Sequence, residues 1–238
     1  MPGEDFSIQA SALNHWFGSG EARKQALFDI DLRIRRGSFI VMVGPSGSGK
    51  TTLLTLLGCL REIQDGSVLL LGQELRDATT AQNVRLRRRL GFIFQAHNLH
   101  ESLTAHQNVL MGLQVKGHLD REASDKAAAH VLTLLGLSDR LDYLPANLSG
   151  GQKQRVAIGR ALVGNPDVVL ADEPTAALDW ETAAKVVDLL KQLGRARGTT
   201  TMMVTHDNRI LDRADRILTL EDGRLVGDED RTGKGLET

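Results

Sequence analysis

Apolar and polar residues alternate with the period of a strand in some parts of the chain and follow a helical pattern in others. Between residues 28 and 34 every second position is apolar and the positions between are charged, which predicts a strand with one face in water. Continuous apolar or β-branched runs predict buried strands at residues 39–43, 168–171 and 200–205. Residues 52–57 predict the first turns of a helix, so strands and helices are expected to alternate in an α/β fold.

The middle of the chain is predicted to be a helical subdomain, because residues 96–165 lack long β-rich runs. Within this part, Arg121–Leu135 has an apolar, alanine-rich helical pattern, and Gly136 follows as a stop. Residues 166–210 return to a strand-helix-strand pattern.

The last strands are predicted to form a hairpin over residues 217–226, with its turn at Asp222-Gly223. We therefore predict one domain over residues 1–226. Gly227–Thr238 is polar and contains glycine, so it is predicted to be a disordered tail.

The composition is that of an ordinary globular domain. The 238 residues are 41% hydrophobic and 25% charged, which is compatible with a substantial core. A formal net charge of −1 gives no overall attraction to nucleic acid or anionic lipid, so no nucleic-acid partner is expected.

No apolar run approaches the roughly 18 residues of a membrane-spanning helix, and residues 1–5 are acidic where a secretory signal would be basic. The chain is therefore expected in the cytosol unless a partner holds it at a membrane. Its single cysteine, Cys59, is expected to be a buried small hydrophobe.

One glycine-rich segment carries the strongest chemical signal. Residues 44–51 match the phosphate-binding pattern G-x-x-x-x-G-K-[ST], between a predicted strand and a predicted helix as the motif requires. Glycines let backbone N–H groups approach phosphate oxygens closely. Lys50 is predicted to reach the β- and γ-phosphates, and the Thr51 hydroxyl is predicted to bind Mg²⁺. The candidate nucleotide-binding residues here are Gly44, Pro45, Ser46, Gly47, Ser48, Gly49, Lys50, Thr51 and Thr52.

Two carboxylates follow the predicted strand at residues 168–171, where the carboxyl end of a parallel strand opens into a ligand crevice. Asp172 is predicted to hold Mg²⁺, directly or through water, and Glu173 to take a proton from the attacking water. An isolated apolar run before Asp-Glu is more often a strand that enters a solvated turn. The phosphate-binding motif upstream favours the functional interpretation.

A second candidate phosphate-binding segment lies at residues 148–152, with the sequence Leu-Ser-Gly-Gly-Gln. The segment from Gln152 to Leu162 has no helix breaker, so the two glycines are expected at a helix N-terminus. There they would present N–H groups and the Ser149 hydroxyl to an anion. A plain loop is the alternative interpretation.

Together these motifs resemble the ATP-binding subunits of ATP-binding-cassette (ABC) transporters. Residues 148–152 match that family's signature, and Gln95, Asp179 and His206 stand where its Q-loop, D-loop and switch histidine are expected. The resemblance covers residues 6–226. It implies an α/β P-loop NTPase core with an antiparallel β subdomain and an α-helical subdomain, and it implies ATP and Mg²⁺ as cofactors.

Within the family, three segments resemble most closely the DevA-type exporter ATPases, which are similar to the macrolide-exporter and lipoprotein-release ATPases. These segments are residues 13–18, 94–99 and 174–179. The likeness favours export of a glycolipid or lipid-like cargo. Residues 176–179 read Ala-Ala-Leu-Asp where the macrolide and lipoprotein branch commonly has Gly-Asn-Leu-Asp, so the substrates of that branch are not carried over.

The resemblance also implies roles for the remaining candidates. His206 would contact the γ-phosphate and help hold the attacking water, and Gln95 would reach Mg²⁺ or that water. Asp179 would shape the interface between two copies. Trp16 aligns with the aromatic residue that stacks on adenine, which would leave the site tolerant of GTP. Phe17 is the rival candidate, and an ordinary core aromatic is the third possibility.

In the resembling proteins two subunits pack head to tail, and the signature of one completes the γ-phosphate site of the other. The signature residues here are Ser149, Gly150, Gly151 and Gln152. Because the chain has one copy of each motif, a C2 homodimer is expected. The other implied partners are an integral membrane permease and, through it, a periplasmic adaptor protein. The implied location is peripheral, on the cytoplasmic face of the inner (plasma) membrane.

The permease is expected to dock in a groove between Gln95 and Val109, with Leu99, Leu103 and Val109 as its apolar floor. A regulatory ABC ATPase that signals without moving a substrate would use the same motifs and stays open. An ABC ATPase of DNA repair is disfavoured, because those relatives separate the P-loop from the signature by a long coiled coil.

Two charged clusters have simpler interpretations. Arg85, Arg87, Arg88 and Arg89 are expected to form a solvated helix face near an interface, in preference to a nucleic-acid site. His97, His100 and His106 lack the cysteines or organised carboxylates of a metal site, so metal binding by them is not expected.

Overall fold

The computed structural model describes residues 6–114 and 120–232. The strands are β1 (Phe6–Phe17), β2 (Lys24–Arg35), β3 (Phe39–Val43), β4 (Asp65–Leu70), β5 (Gln73–Glu74), β6 (Leu90–Ile93), β7 (Val168–Asp172), β8 (Thr200–Val204), β9 (Arg216–Glu221) and β10 (Arg224–Asp230). The helices are α1 (Lys50–Leu57), α2 (Thr80–Arg87), α3 (Ala105–Gln114), α4 (Arg121–Leu134), α5 (Gly150–Leu162) and α6 (Trp180–Arg197), with short 3₁₀ helices at Gly20–Ala22, Pro145–Asn147 and Asn208–Arg213.

The strands form two sheets. The smaller sheet is antiparallel, in the order β2-β1-β4-β5. The larger sheet has the order β10-β9-β3-β8-β7-β6, and all neighbours in it are parallel except the terminal pair β9 and β10. The predicted buried strands are confirmed as β3, β7 and β8, whose apolar residues have little side-chain surface in water. These three strands lie side by side in the middle of the large sheet, so their carboxyl ends meet at one edge.

Three apolar clusters hold the layers together. The first packs the inner face of the small sheet and helix α1 against one face of the large sheet, with Leu27, Leu54 and Met202 among its fully buried members. The second lies on the opposite face of the large sheet, where α5 and α6 cover it. The third joins α3, α4 and α5, and Val109 is buried within it. Of the three residues predicted to form the apolar groove floor, Val109 is fully buried and so closed to a partner, whereas Leu99 and Leu103 are partly exposed.

The described residues between 96 and 165 contain helices and turns and no strand. Helix α4 ends at Leu134, and Gly136 adopts a φ of +67°, the left-handed conformation that glycine tolerates after a helix. The four arginines from 85 to 89 follow or end helix α2; Arg87 donates to the Cys59 carbonyl and Arg89 pairs with Asp167. Part of the basic cluster is therefore structural.

The predicted disordered tail is wrong at its start. Strand β10 continues to Asp230, and residues 227–230 pair with β9. Arg231 then donates its backbone N–H to the Asp215 carbonyl. Pairing with a neighbouring strand supplies partners to backbone groups that composition alone suggested would be solvated. Residues 233–238 of the predicted tail lie outside the described part of the chain.

No helix in the described part of the chain is both long enough and apolar enough to cross a membrane.

Candidate functional site

The sequence candidates from three strands meet around one cavity of about 1240 Å³. Its wall includes the start of α1 and the residues that follow β7 and β8, with one side formed by β2 and the end of β1. This position, at the carboxyl ends of parallel strands, is where open α/β sheets bind ligands. The cavity is large enough to hold a nucleotide.

The loop from β3 to α1 is shaped by glycines at two places. Gly44 has a φ of +147°, and a Cβ there would lie 1.9 Å from the Leu220 carbonyl oxygen, so no other residue fits. Gly47 has a φ of +80°, and a Cβ there would meet nothing within 4 Å, which leaves its backbone accessible to a ligand. The Gly223 N–H donates to the Ser48 carbonyl at 3.0 Å, so the β9–β10 hairpin braces this loop.

The phosphate-binding candidates divide into two groups. Those that line the cavity are Ser46, Gly47, Gly49, Lys50, Thr51 and Thr52. Gly44, Pro45 and Ser48 are not among the lining residues and support the loop from behind. Ser48 is 3% exposed, and its hydroxyl has no hydrogen-bond partner within the described residues.

Lys50 is the first residue of α1 and is 6% exposed. Its Nζ donates to the carbonyl oxygens of Gly44 and Pro45, both at 2.8 Å. Burial lowers the pKa of the ammonium, while the nearby carboxylates of Glu173 and Asp172 oppose that shift. With two of its three donors on the loop carbonyls, the ammonium is held at the floor of the cavity with one donor left for a phosphate oxygen.

Thr51 and Asp172 bring two oxygen ligands together. The Thr51 hydroxyl donates to Oδ2 of Asp172 at 2.8 Å, and Asp172 is 8% exposed at the end of β7. Gln95, which follows β6, lines the same cavity. Mg²⁺ prefers oxygen ligands and is commonly bound by one or two protein groups together with substrate phosphates. The donor set fits Mg²⁺ beside a nucleotide phosphate.

No other metal site stands out among the described residues, where no group of three or more His, Cys, Asp and Glu side chains could hold a metal ion. Three of the histidines in the helical subdomain, His97, His100 and His106, each have a local polar contact. Nε2 of His97 lies 3.0 Å from the Gly150 carbonyl, and Nε2 of His106 lies 3.1 Å from the Asp125 carbonyl. His100 Nδ1 lies 3.0 Å from the Ser102 hydroxyl.

Glu173 and His206 face each other across the cavity floor. Oε1 of Glu173 lies 3.4 Å from Nε2 of His206, and this oxygen accepts no hydrogen bond from the described residues. Burial raises the pKa of the Glu173 carboxyl, partly offset by the charge and the backbone N–H of His206. A carboxylate with a raised pKa and a free oxygen lone pair suits a general base.

Glu173 also has an uncommon backbone conformation. Its φ is +49°, and its N–H donates to the Val204 carbonyl at 3.0 Å. A non-glycine residue in the left-handed region costs conformational energy and is frequent at functional sites. The bond to β8 fixes where the chain turns away after β7, and with it the place of the side chain.

Ser149 caps the N-terminus of α5 in a reciprocal arrangement with Gln152. The Gln152 N–H donates to the Ser149 hydroxyl oxygen at 3.2 Å, and the Ser149 N–H donates to Oε1 of Gln152 at 2.8 Å. A Cβ at Gly150 would meet nothing within 4 Å, so this helix end is open. None of residues 149–152 lines the cavity. If they bind a nucleotide, it is not the one in their own chain's cavity.

Asp179 likewise does not line the cavity and has a local partner. It caps helix α6, where its carboxylate accepts the Thr182 N–H at 2.9 Å and the Thr182 hydroxyl at 2.7 Å. Its role at an interface between two copies stays a prediction.

The aromatic side of the cavity corrects one prediction. Phe17 lines the cavity and is 40% exposed, whereas Trp16 does not line it. The Trp16 ring lies instead under the Arg23 guanidinium, 4.5 Å from the ring centroid. Neighbouring strand residues point to opposite sides, so only one of the two can face a nucleotide. The geometry therefore does not support Trp16 as the adenine-stacking candidate and favours its rival, Phe17, whose stacking on adenine stays a prediction.

Sequence patterns did not point to two further cavity residues, Asp207 and Arg209. Asp207 directly follows His206, and Arg209 lies two residues further on. Arg209 binds Asp207 through Nε at 2.8 Å and Nη2 at 2.7 Å. The only signal was their proximity to a candidate histidine at a strand end. Proximity alone does not separate a site residue from a solvated turn.

Comparison with known families gives one match that spans most of the core. The family described as ABC transporter matches residues 27–176 of this chain.

Similar curated proteins fall into two size classes. The lipoprotein-releasing system ATP-binding protein LolD of Shewanella oneidensis is 40% identical over 223 residues, which are 93% of this chain and 96% of LolD. The macrolide export ATP-binding/permease protein MacB 1 of Aeromonas hydrophila is 45% identical over 225 residues, or 94% of this chain. That alignment covers 34% of MacB 1, so the chain spans about a third of that relative.

A solved structure shares the fold. The ATP-binding cassette MJ0796, in a dimeric post-hydrolysis state bound to ADP and Pi, aligns with a TM-score of 0.89 and 37% identity. The alignment covers 94% of this chain and 98% of the MJ0796 chain.

Proposed function

The chain belongs to the ABC transporter family, and from this premise we propose that it energises export of a lipid-like or glycolipid cargo through a membrane permease. As a member of this family it is an ATPase, with ATP and Mg²⁺ as its cofactors. The observation that carries the hydrolytic part of the proposal is the cavity floor, where the Thr51–Asp172 pair and the Glu173–His206 pair converge on one space.

Each side chain of the floor has a distinct proposed task. Lys50 and the loop N–H groups hold the β- and γ-phosphates, and Thr51 and Asp172 would hold Mg²⁺ with Gln95 beside them. When bound, Mg²⁺ supplies positive charge against the phosphate oxygens. Glu173 takes the proton from the attacking water, and His206 keeps that water and the γ-phosphate in place.

A second copy of the chain is proposed to complete the site. The signature residues 149–152 form an open helix N-terminus away from their own cavity, which supports a role at the cavity of another copy. The similar cassette MJ0796 is described as dimeric. We infer a head-to-tail homodimer with two composite sites, each built from the P-loop of one copy and the signature of the other.

The proposed setting is the cytoplasmic face of the inner membrane, beside an integral permease and a periplasmic adaptor reached through it. The names of LolD and MacB, a lipoprotein-releasing ATP-binding protein and an export ATP-binding/permease protein, support an exporter.

Phe17→Ala is expected to weaken ATP binding. Stacking of a base on an aromatic ring is worth about 1–3 kcal/mol, so the Kd for ATP should rise by roughly 5- to 150-fold. Titration of a fluorescent ATP analogue measures this directly. Trp16→Ala is the matched control, because Trp16 is the neighbouring aromatic outside the cavity and should keep the wild-type Kd. A raised Kd for ATP in Trp16→Ala together with a wild-type Kd in Phe17→Ala would restore Trp16 as the stacking residue.

Copurification tests the proposed partners. The Glu173→Gln chain, tagged and loaded with ATP, should bring down a multi-span permease and an adaptor-like protein from detergent-solubilised membranes of its source cell. The same preparation with the Lys50→Ala chain controls for capture that does not depend on nucleotide. Recovery of soluble or DNA-associated proteins alone would contradict the export proposal. Recovery of a permease that moves no cargo in the presence of ATP would favour the alternative of a regulatory ABC ATPase that signals without moving a substrate.

A further inference from the structure

Trp180 is an exposed aromatic residue at the first position of α6, directly after Asp179. It is 37% exposed, and two arginine side chains lie over its ring. The Arg209 guanidinium carbon is 4.7 Å from the ring centroid and that of Arg213 is 5.3 Å. Both arginines come from the 3₁₀ helix Asn208–Arg213, which begins two residues after His206. The ring therefore joins the start of α6 to the segment that carries His206.

The His206 segment is held internally by contacts on both sides of the histidine. The Asp207 N–H donates to the Thr205 hydroxyl at 3.1 Å, and Oδ1 of Asp207 accepts the Arg209 N–H at 3.0 Å. The Arg209 side chain then returns to the Asp207 carboxylate through two bonds of 2.8 and 2.7 Å. A displacement of Arg209 therefore displaces Asp207, the residue that follows His206.

The far end of the 3₁₀ helix is fastened to α6 independently of Trp180. Nε of Arg213 lies 3.1 Å from Oδ1 of Asp188, and Nζ of Lys191 donates to the Arg213 carbonyl at 2.6 Å. Ile210, between the two ends, is fully buried. Loss of the Trp180 ring should therefore leave the helix in place and release mainly Arg209 at its start.

We propose that Trp180 is a positioning residue for His206, acting through Arg209 and Asp207. The ring face attracts the guanidinium, which fixes Arg209 and so the Asp207 carboxylate that it binds. His206 is thereby kept with Nε2 at 3.4 Å from Oε1 of Glu173. The contact also links Asp179 to His206, so a shift of either segment is transmitted to the other. This inference rests on the proposed role of His206 in hydrolysis.

The test compares Trp180→Leu with Trp180→Tyr in steady-state ATPase assays. Leucine keeps an apolar side chain without a ring, and it should lower kcat by about three- to tenfold with KM changed less than twofold. Tyrosine keeps a ring face and should restore most of the wild-type kcat. Tyr143→Leu is the matched control, because Tyr143 is 40% exposed and lies under Arg140 at 4.8 Å in the helical subdomain. It should leave both constants unchanged.

Two further variants make the outcome decisive. In an Arg209→Gln background, Trp180→Leu should have no additional effect on kcat, because the proposed route through Arg209 is already broken. Multiplying effects of the two changes would overturn the proposal. The proposal would also be overturned if the Trp180→Leu variant kept the wild-type kcat while the His206→Ala variant was inactive. A wild-type kcat for His206→Ala would instead remove the proposed role of the histidine itself.

Discussion

Glu173→Gln is expected to lower ATP turnover by about 10²- to 10⁴-fold while ATP and Mg²⁺ still bind. The substitution keeps the shape of the side chain and removes its ability to accept a proton. In the structure this carboxylate has a raised pKa because of burial, and Oε1 accepts no hydrogen bond from the described residues. Both properties suit a base that takes a proton from water. Phosphate release measures turnover, and equilibrium titration measures binding.

The pH dependence separates this role from a structural one. Because burial raises the pKa of Glu173, wild-type kcat should fall as the pH drops through that raised pKa, where the base becomes protonated. The residual activity of Glu173→Gln should lack this acid limb. Glu122→Gln is the control, since Glu122 is an exposed residue of α4 paired with Lys126. Turnover of Glu173→Gln within a few-fold of wild type would refute the assignment of Glu173 as the base.

Lys50→Ala is expected to weaken ATP binding by roughly 10- to 100-fold. A hydrogen bond to a charged group contributes about 1.5–3 kcal/mol, and the ammonium lies at the cavity floor, where it is 6% exposed. Calorimetric titration with ATP in the presence of Mg²⁺ measures the change in Kd. An unaltered Kd would count against the phosphate-binding interpretation of residues 44–51.

Thermal unfolding must accompany that titration, because Lys50 also bonds two carbonyls of its own loop. A loss of binding with a Tm close to wild type indicates a missing phosphate contact. Lys185→Ala is the control, since Lys185 is an exposed lysine of α6 that pairs with Glu181. Its ATP affinity should be unchanged.

The parts of the site that sequence could predict are those built from local pattern. A strand of five apolar residues, a glycine-rich turn and helical turns at residues 52–57 are predicted from contiguous residues. The structure has β3 at the predicted strand, and α1 begins two residues earlier than predicted, at Lys50. The same holds for Asp172 and Glu173 at the end of β7 and for His206 after β8. In each case the strand end is visible in the sequence, and strand ends meet at one edge of a parallel sheet.

The features that sequence missed depend on register and on distant contacts. The register of pairing between β1 and β2 shifts between His15 and Trp16. Such an irregularity decides which aromatic side chain faces the cavity, and the alternation of apolar and polar residues does not reveal it. Burial of Val109 depends on how α3 packs against α5. The contact of Trp180 with Arg209 joins residues that are far apart in the chain, and no periodicity predicts it.

The brace between the phosphate-binding loop and the β9–β10 hairpin has a consequence for biosynthesis. Gly44 lies against the Leu220 carbonyl, Ser48 accepts a bond from Gly223, and β3 is flanked by β8 and β9. The neighbours that shape this loop therefore lie far downstream of it and are synthesised long after the loop itself. Since chains emerge from the ribosome N-terminus first, the phosphate-binding loop can reach its folded shape only after β8 and the β9–β10 hairpin have been synthesised. During that interval β3 lacks both of its sheet partners, so its apolar side chains and unpaired backbone groups are open to contact with other chains.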